Sequence, residues 1–309
     1  MSQDLVRAAT ETIARGSKSF AAAARLFDRD TRQSAVMLYA WCRYCDDLID
    51  DQEFGFASGR FPSNSPEARL VELERQTRSA LAGEPQAEPA FAALRLVMER
   101  HQIPEQLPLQ HLAGFRMDTE RRRYETIEDT LDYAYHVAGV VGVMMAHVMG
   151  VRDPAVLDRA SDLGIAFQLT NIARDIIDDA AVGRIYVPTG WLREAGIPPE
   201  EVADLRHRPA LARVAARLIA RAEPHYASAR VGIAALPPRS AWAIATAHGV
   251  YRQIGVEVRR REFRAWDERV STTKLQKLGH VARGGWVALL SRIAGPNSDE
   301  RAGLYERPA

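Results

Sequence analysis

The chain has 309 residues, 47% hydrophobic and 26% charged, a composition ordinary for a globular protein and a length ample for a sizeable buried core. Its 41 basic and 40 acidic residues leave a net charge of +1, which argues against a nucleic-acid partner held by bulk charge. No run approaches the ~20 apolar residues of a spanning helix, the N-terminus carries no secretory core, and two cysteines cannot build a disulfide framework, so a reducing cytoplasm is expected.

Proline placement organises the chain. Residues 1–61, 109–153, 155–187 and 239–295 contain no proline inside their bounds, and each window can hold long helices, because proline breaks helix interiors. The prolines gather at 62–66, 85–89, 104–108, 198–199 and 237–238, where loops are expected. In between, apolar residues recur at three and four, as in Leu70–Leu73–Thr77–Leu81 and Phe91–Leu94–Val97–Met98. Few stretches alternate at period two, and no marked hairpin is visible. The pattern predicts an all-α fold of ten or more helices in a single domain over 1–309, with a core of about 15–290. A polar loop is expected over 51–66 and a polar, frayed tail after residue 295.

Two acidic motifs lie in proline-free windows. The first is Asp46-Asp47-Leu48-Ile49-Asp50-Asp51, the second Asn171-Ile172-Ala173-Arg174-Asp175-Ile176-Ile177-Asp178-Asp179. Positions four apart on a helix differ by about 40°, so Asp46 and Asp50 share a face, and Asn171, Asp175 and Asp179 form a ladder of oxygen ligands. Like charges at this spacing repel. A solvated acidic face is the plain alternative for the first motif alone. The second sits on a stretch apolar nearly all round, from Leu163 through Phe167 and Leu169 to Ile177, which belongs inside a bundle. Carboxylates there need cations, and a hard divalent ion such as Mg²⁺ bridges carboxylate and phosphate oxygens. Arg43, Arg174 and Arg184 would complete a diphosphate clamp. Only three basic residues are lysine, and the arginines supply the forked donors such a clamp uses. The chemistry this serves is ionisation: a diphosphate leaves while an apolar cavity shelters a carbocation.

These segments resemble the squalene/phytoene synthase family. The second motif matches a family signature through Leu163-Gly164, Gln168, Asn171-Ile172, Arg174-Asp175, Asp179 and Arg184-Ile185-Tyr186-Val187-Pro188. A second signature runs from Tyr133 and Tyr135 through Val137-Ala138-Gly139 and Gly142 to Val148. Ser17-Lys18-Ser19-Phe20, Tyr39-Ala40-Trp41-Cys42-Arg43 and Arg269-Val270-Ser271 with Lys274 also match, so the resemblance spans roughly residues 15–280. It implies an isoprenoid synthase bundle of the class I prenyltransferase type around a central cavity. It implies Asp46, Asp50, Asn171, Asp175 and Asp179 as ligands of two to three Mg²⁺ or Mn²⁺ ions held with diphosphate. Ser17, Ser19, Arg43, Gln168, Arg184 and Tyr186 would contact substrate or diphosphate, with Asn171 and Arg174 beside them. Asp47, Asp51 and Asp178 point elsewhere and are weaker candidates.

The implied reaction joins two geranylgeranyl diphosphates head to head and ends by proton loss, giving phytoene. A C15 enzyme making dehydrosqualene or hydroxysqualene, a class I terpene cyclase and a non-catalytic helical assembly factor are the alternatives. No dinucleotide or Walker-type loop is visible, so NADPH is not expected. Phe20, Tyr39, Tyr135, Phe167, Tyr186 and Tyr251 are candidates to stabilise carbocations, with plain core packing as the alternative. Gly139 and Gly142 would allow close approach of helices or substrate. Met117-Asp118 with Arg121-Arg122-Arg123 is either a second diphosphate contact or a solvated charge run. Cys42 and Cys45 form a Cys-x-x-Cys, but an apolar helix is the wrong setting for a redox motif, and a structural role is expected. The run from Arg259 to Trp266 mixes arginine with aromatics and suggests a membrane-interface helix, with a solvated helix face as the alternative; the former is consistent with lipid substrates, peripheral attachment at the inner membrane face and downstream carotenoid enzymes as neighbours. Ala24 sits one turn from Phe20, so small residues over 21–24 would leave room for a C20 tail.

Overall fold

The computed structural model describes residues 2–50, 52–53, 56–57, 65–293 and 301–308. Thirteen α-helices fill most of the described chain: α1 (Ser2–Gly16), α2 (Lys18–Ala24), α3 (Arg29–Asp50), α4 (Pro66–Leu81), α5 (Pro89–His101), α6 (Gln106–Thr119), α7 (Ile127–Ala134), α8 (Val140–Val148), α9 (Pro154–Ala181), α10 (Thr189–Glu194), α11 (Arg208–Gly232), α12 (Pro238–Arg261) and α13 (Lys274–Ile293). The proline-free windows hold α1–α3, α7–α8, α9 and α12 apart from their first residues, and α13. Prolines sit at the first turns of α4, α5, α9, α11 and α12, where the missing N–H has no helical partner to lose.

Three features differ from the sequence expectations. A two-residue antiparallel pair, β1 (Gln52–Glu53) with β2 (Phe56–Ala57), lies within the predicted loop; strands this short leave no alternation to read. Residues 51, 54–55 and 58–64 of that loop, Asp51 included, lie outside the described residues, and Ser65 and Pro66 already open α4. Helix α11 runs through Pro224, and its buried face, including Leu211, Leu218 and Tyr226, offsets the lost backbone bond. The tail is also docked rather than frayed over 301–308. Arg301 donates to the Asp162 carboxylate at 2.8 Å, the Tyr305 hydroxyl donates to Asp132 at 3.0 Å, and Arg307 donates to Asp158 at 2.5 Å.

Helix α9 lies at the centre, against α8, α11 and α12. Asp153 caps it by accepting from the Ala155 N–H, and 28 residues carry it across the core. Its approach to the preceding segment is backbone to backbone. A Cβ on Gly164 would stand 2.2 Å from the Ala138 carbonyl oxygen, and one on Gly142 would stand 2.3 Å from that of Ala160. Between α7 and α8 the chain widens into a single π-helical turn, Tyr135–Gly139. The family-signature glycines therefore serve helix contact, and Gly142 and Gly164 also line the cavity behind it.

Candidate active site

A cavity of about 360 Å³ opens among α2, α3, α8, α9 and α12. Its wall is mostly apolar. Phe20, Phe167 and Tyr251 form a connected aromatic face, with ring centroids 5.4 Å apart for Phe20–Tyr251 and 4.1 Å for Phe167–Tyr251. Tyr39 joins it, 6.2 Å from Phe20. Burial pushes the Tyr39 and Tyr251 hydroxyls up to about 12, so both stay protonated. Ala24 lines the same cavity, as the sequence suggested.

Asp46, Gln168 and Asn171 also line the cavity, and the acidic faces of α3 and α9 meet around them. Burial, with neighbouring Asp50, Asp47 and Asp118 against the relief from Arg43, pushes the Asp46 carboxyl up to about 7. Burial, with the Asp175 charge, raises Asp179 likewise to about 7. Asp175 behaves oppositely. Burial pushes it up, but forked hydrogen bonds from Arg174, at 2.8 and 2.5 Å, and from Arg269, at 3.2 and 3.0 Å, outweigh burial and hold it below the usual carboxylate range. Arg184 pairs with Asp50 across 134 residues of sequence, and Arg43 pairs with Asp47 at 2.5 Å.

These groups fit a divalent cation. Every donor is an oxygen, two carboxylates are destabilised as anions, and the Asn171 Oδ1 is buried with no hydrogen-bond partner. Among the described residues no three acidic, histidine or cysteine side chains converge closely enough to hold an ion as they stand. The pairing explains this: guanidinium groups sit against Asp50 and Asp175, two of the expected ligands.

Other expected residues fall elsewhere. The Ser17 side chain caps α2, accepting from the Phe20 N–H at 3.2 Å, and the Ser19 side chain lies outside the described ones. Tyr135 stands away from the cavity wall. Its hydroxyl donates to Gln110 at 2.7 Å and its ring stacks on Tyr305 of the docked tail. The Tyr186 hydroxyl donates at 2.8 Å to Asp118, which also accepts from Tyr133 at 3.2 Å, while the two rings stack 4.5 Å apart. Burial raises Asp118 to about 6, despite the relief from Arg184 and both tyrosines. Asp118 thus belongs to the acidic cluster, whereas Arg122 of the neighbouring run turns to Asp132 at 3.0 Å. Arg269 was legible only through its Arg-Val-Ser match. Cys42 and Cys45 are free, and burial pushes both thiols up, which fits a structural role. In the arginine-aromatic run Arg260 and Arg261 pair with Glu257, Trp266 packs on the core, and Phe263 is its one exposed large apolar side chain among the described residues.

An all-α bundle around an apolar cavity, with two acidic helix faces meeting at one end, defines a synthase of the isoprenoid type. Residues 13–276 match squalene/phytoene synthase, and the chain belongs to that family. It is 53% identical to the 15-cis-phytoene synthase of Pantoea ananas, over 98% of both chains, and 51% identical to that of a Paracoccus species, over 99% of this chain and 98% of the other. A crystal structure of a dehydrosqualene synthase in complex with ligand superposes with a TM-score of 0.81 at 27% identity, covering 92% of this chain and 96% of that one.

Proposed function

We propose that this prenyltransferase condenses two geranylgeranyl diphosphates head to head, through prephytoene diphosphate, to phytoene, with release of two diphosphates. The observation that carries the reading is the meeting of the α3 and α9 acidic faces with Arg174, Arg184 and Arg269 at one end of an aromatic-walled, apolar cavity. The near-full-length likeness to 15-cis-phytoene synthases supports C20 over C15 substrates.

Asp46, Asp50, Asn171, Asp175 and Asp179 would hold two to three ions of Mg²⁺ or Mn²⁺, which would supply charge neutralisation at the leaving diphosphate. The chain does the rest. Arg174, Arg184 and Arg269 turn from their carboxylates to the diphosphate oxygens, to which a guanidinium presents a matching fork. The faces of Phe20, Phe167 and Tyr251 lie toward the cationic carbon, and the apolar wall keeps out the water that would quench it. Asp118, Tyr133 and Tyr186 hold one another in a fixed network beside the acids. The last cation loses a proton, so no NADPH is consumed. The reading extends to a cytoplasmic enzyme, with no nucleic-acid partner, working beside a membrane that receives its product; among the described residues no helix is long and apolar enough to cross one.

Incubation of purified protein with labelled C15 and C20 diphosphates, with and without NADPH, tests this. Phytoene should form from the C20 substrate without reductant. Chelation should stop turnover, and Mg²⁺ or Mn²⁺ should restore it. Product from the C15 substrate alone would move the reading to dehydrosqualene, an outcome the likeness at 27% identity also supports. A strict need for NADPH would refute the proton-loss ending.

A further inference from the structure

Of the nine large apolar side chains that stand exposed among the described residues, five lie on α13: Leu275, Leu278, Trp286, Leu289 and Leu290. At 100° per residue they fall within about 60° either side of Leu275, on one stripe. The opposite face is clamped to α12. A Cβ on Gly284 would meet Thr246 Oγ1 at 2.5 Å, one on Gly285 would meet the Trp242 ring nitrogen at 3.3 Å, and the Trp242 indole donates to the Val281 carbonyl at 2.7 Å. The stripe therefore points outward because the helix is fixed by its other side. Leu275 is 79% exposed and Trp286 62%, so the stripe is a contiguous apolar patch facing water, the kind of surface that marks an interaction site.

Charge selects the occupant. Helix α13 carries Lys274, Lys277, Arg283 and Arg292 and no acidic residue. A second copy seated on the same stripe would bring the Lys274 and Arg283 that flank it against the same cations of its partner. An anionic lipid surface meets both the leucines and the exposed Lys274 and Arg283, which flank the stripe about 100° and 80° from Leu275. We infer that α13 is an interfacial helix that lays the enzyme on an anionic bilayer, parallel to the surface. This lipid contact is separate from the reaction site. On its far side α12 lines the cavity with Ala243, Ile244, Ala247 and Tyr251, so the surface lies about one helix diameter, ~10 Å, beyond the cavity wall. The face lies on α13 rather than in the arginine-aromatic run before it, where Arg260 and Arg261 are paired with Glu257 and Phe263 alone is an exposed large apolar side chain.

Sedimentation of the full chain with vesicles decides this. Vesicles containing phosphatidylglycerol should bind it about tenfold or more tightly than pure phosphatidylcholine, and salt should weaken that binding. The double variant Leu278→Glu/Leu289→Glu should lose about tenfold or more of the binding, with helical content and turnover in detergent unchanged. Leu205→Glu, an exposed apolar position elsewhere, should bind as the parent does. Lys274→Glu/Arg283→Glu should reduce the preference for anionic lipid while the leucine stripe stays intact. Brominated lipids should quench tryptophan emission in the parent but far less in Trp286→Phe. Absence of vesicle binding by the parent, or undiminished binding by the leucine variant, would overturn the inference. So would a parent dimer that the leucine variant dissociates, without vesicle binding.

Discussion

Helix α9 carries two aspartate pairs at the same four-residue spacing, Asp158–Asp162 near its start and Asp175–Asp179 near its end. The first pair is saturated. Asp162 is fully buried, yet His225, Arg301 and Ser228 all hydrogen-bond to it, and these bonds outweigh its burial and hold its carboxyl below the usual range. Arg307 and Arg301 cover Asp158. The second pair is left short. Asp175 has its two arginines, but Arg184, the cation facing Asp179, is already paired with Asp50, and Asp179 is raised to about 7 by burial and by Asp175. Spacing does not make a site. A carboxylate pair becomes one where the fold withholds donors that a ligand can then replace.

The comparison can be broken most sharply at Asp175. Its change to alanine should lower turnover by about 10³-fold, since a cation bound there would contribute several kcal/mol to leaving-group stabilisation. Circular dichroism should show the helices intact, and near-normal turnover would sink the two-helix site. Asp162→Asn, on the same helix, should do the reverse. It breaks a buried charge network at a cost of about 3 kcal/mol in urea unfolding, while turnover of the folded molecules stays unchanged. The sign with pH follows from the depressed carboxyl. Its stabilisation is present above the unfolded value near about 4 and is lost as pH falls through the lower folded value, so the parent should lose more stability on acidification than the variant.

Smaller effects sharpen the distinction. Arg269→Ala should cost about 10²-fold in kcat/KM if the guanidinium serves diphosphate, and little if it only neutralises Asp175. Ala24→Phe should shift competition between C20 and C15 diphosphates toward C15 by about tenfold or more, because a ring would fill part of the cavity that Ala24 leaves open. An unchanged C20 preference would mean the tail runs another way.

Most of the helices were legible because proline writes its veto at single residues. The acidic ladder was legible because a helix converts spacing into direction. What escaped was tertiary. The pairing of Arg269 with Asp175 spans 94 residues and depends on how α12 returns the chain to α9. Tyr135 and Tyr186 sit in family signatures, but only the fold turns one to Gln110 and the other to Asp118. The docking of 301–308 was hidden because its polar composition looks the same whether its partners are water or Asp158 and Asp162. Pro224 shows the opposite case, a local rule overridden by packing along α11.

The contact between Gly164 and the Ala138 carbonyl has a consequence for how this sequence can drift. At most core positions tolerance declines gradually with side-chain size. At 164, and at 142 against Ala160, the first carbon of any side chain already overlaps backbone, so alanine is refused on the same ground as tryptophan. Tolerance there is a step rather than a slope. Gly279, whose Cβ would meet nothing within 4 Å, has no such step. Inherited change can therefore enter at Gly279 while the α8–α9 seam stays fixed, and with it the depth at which the acidic ladder stands.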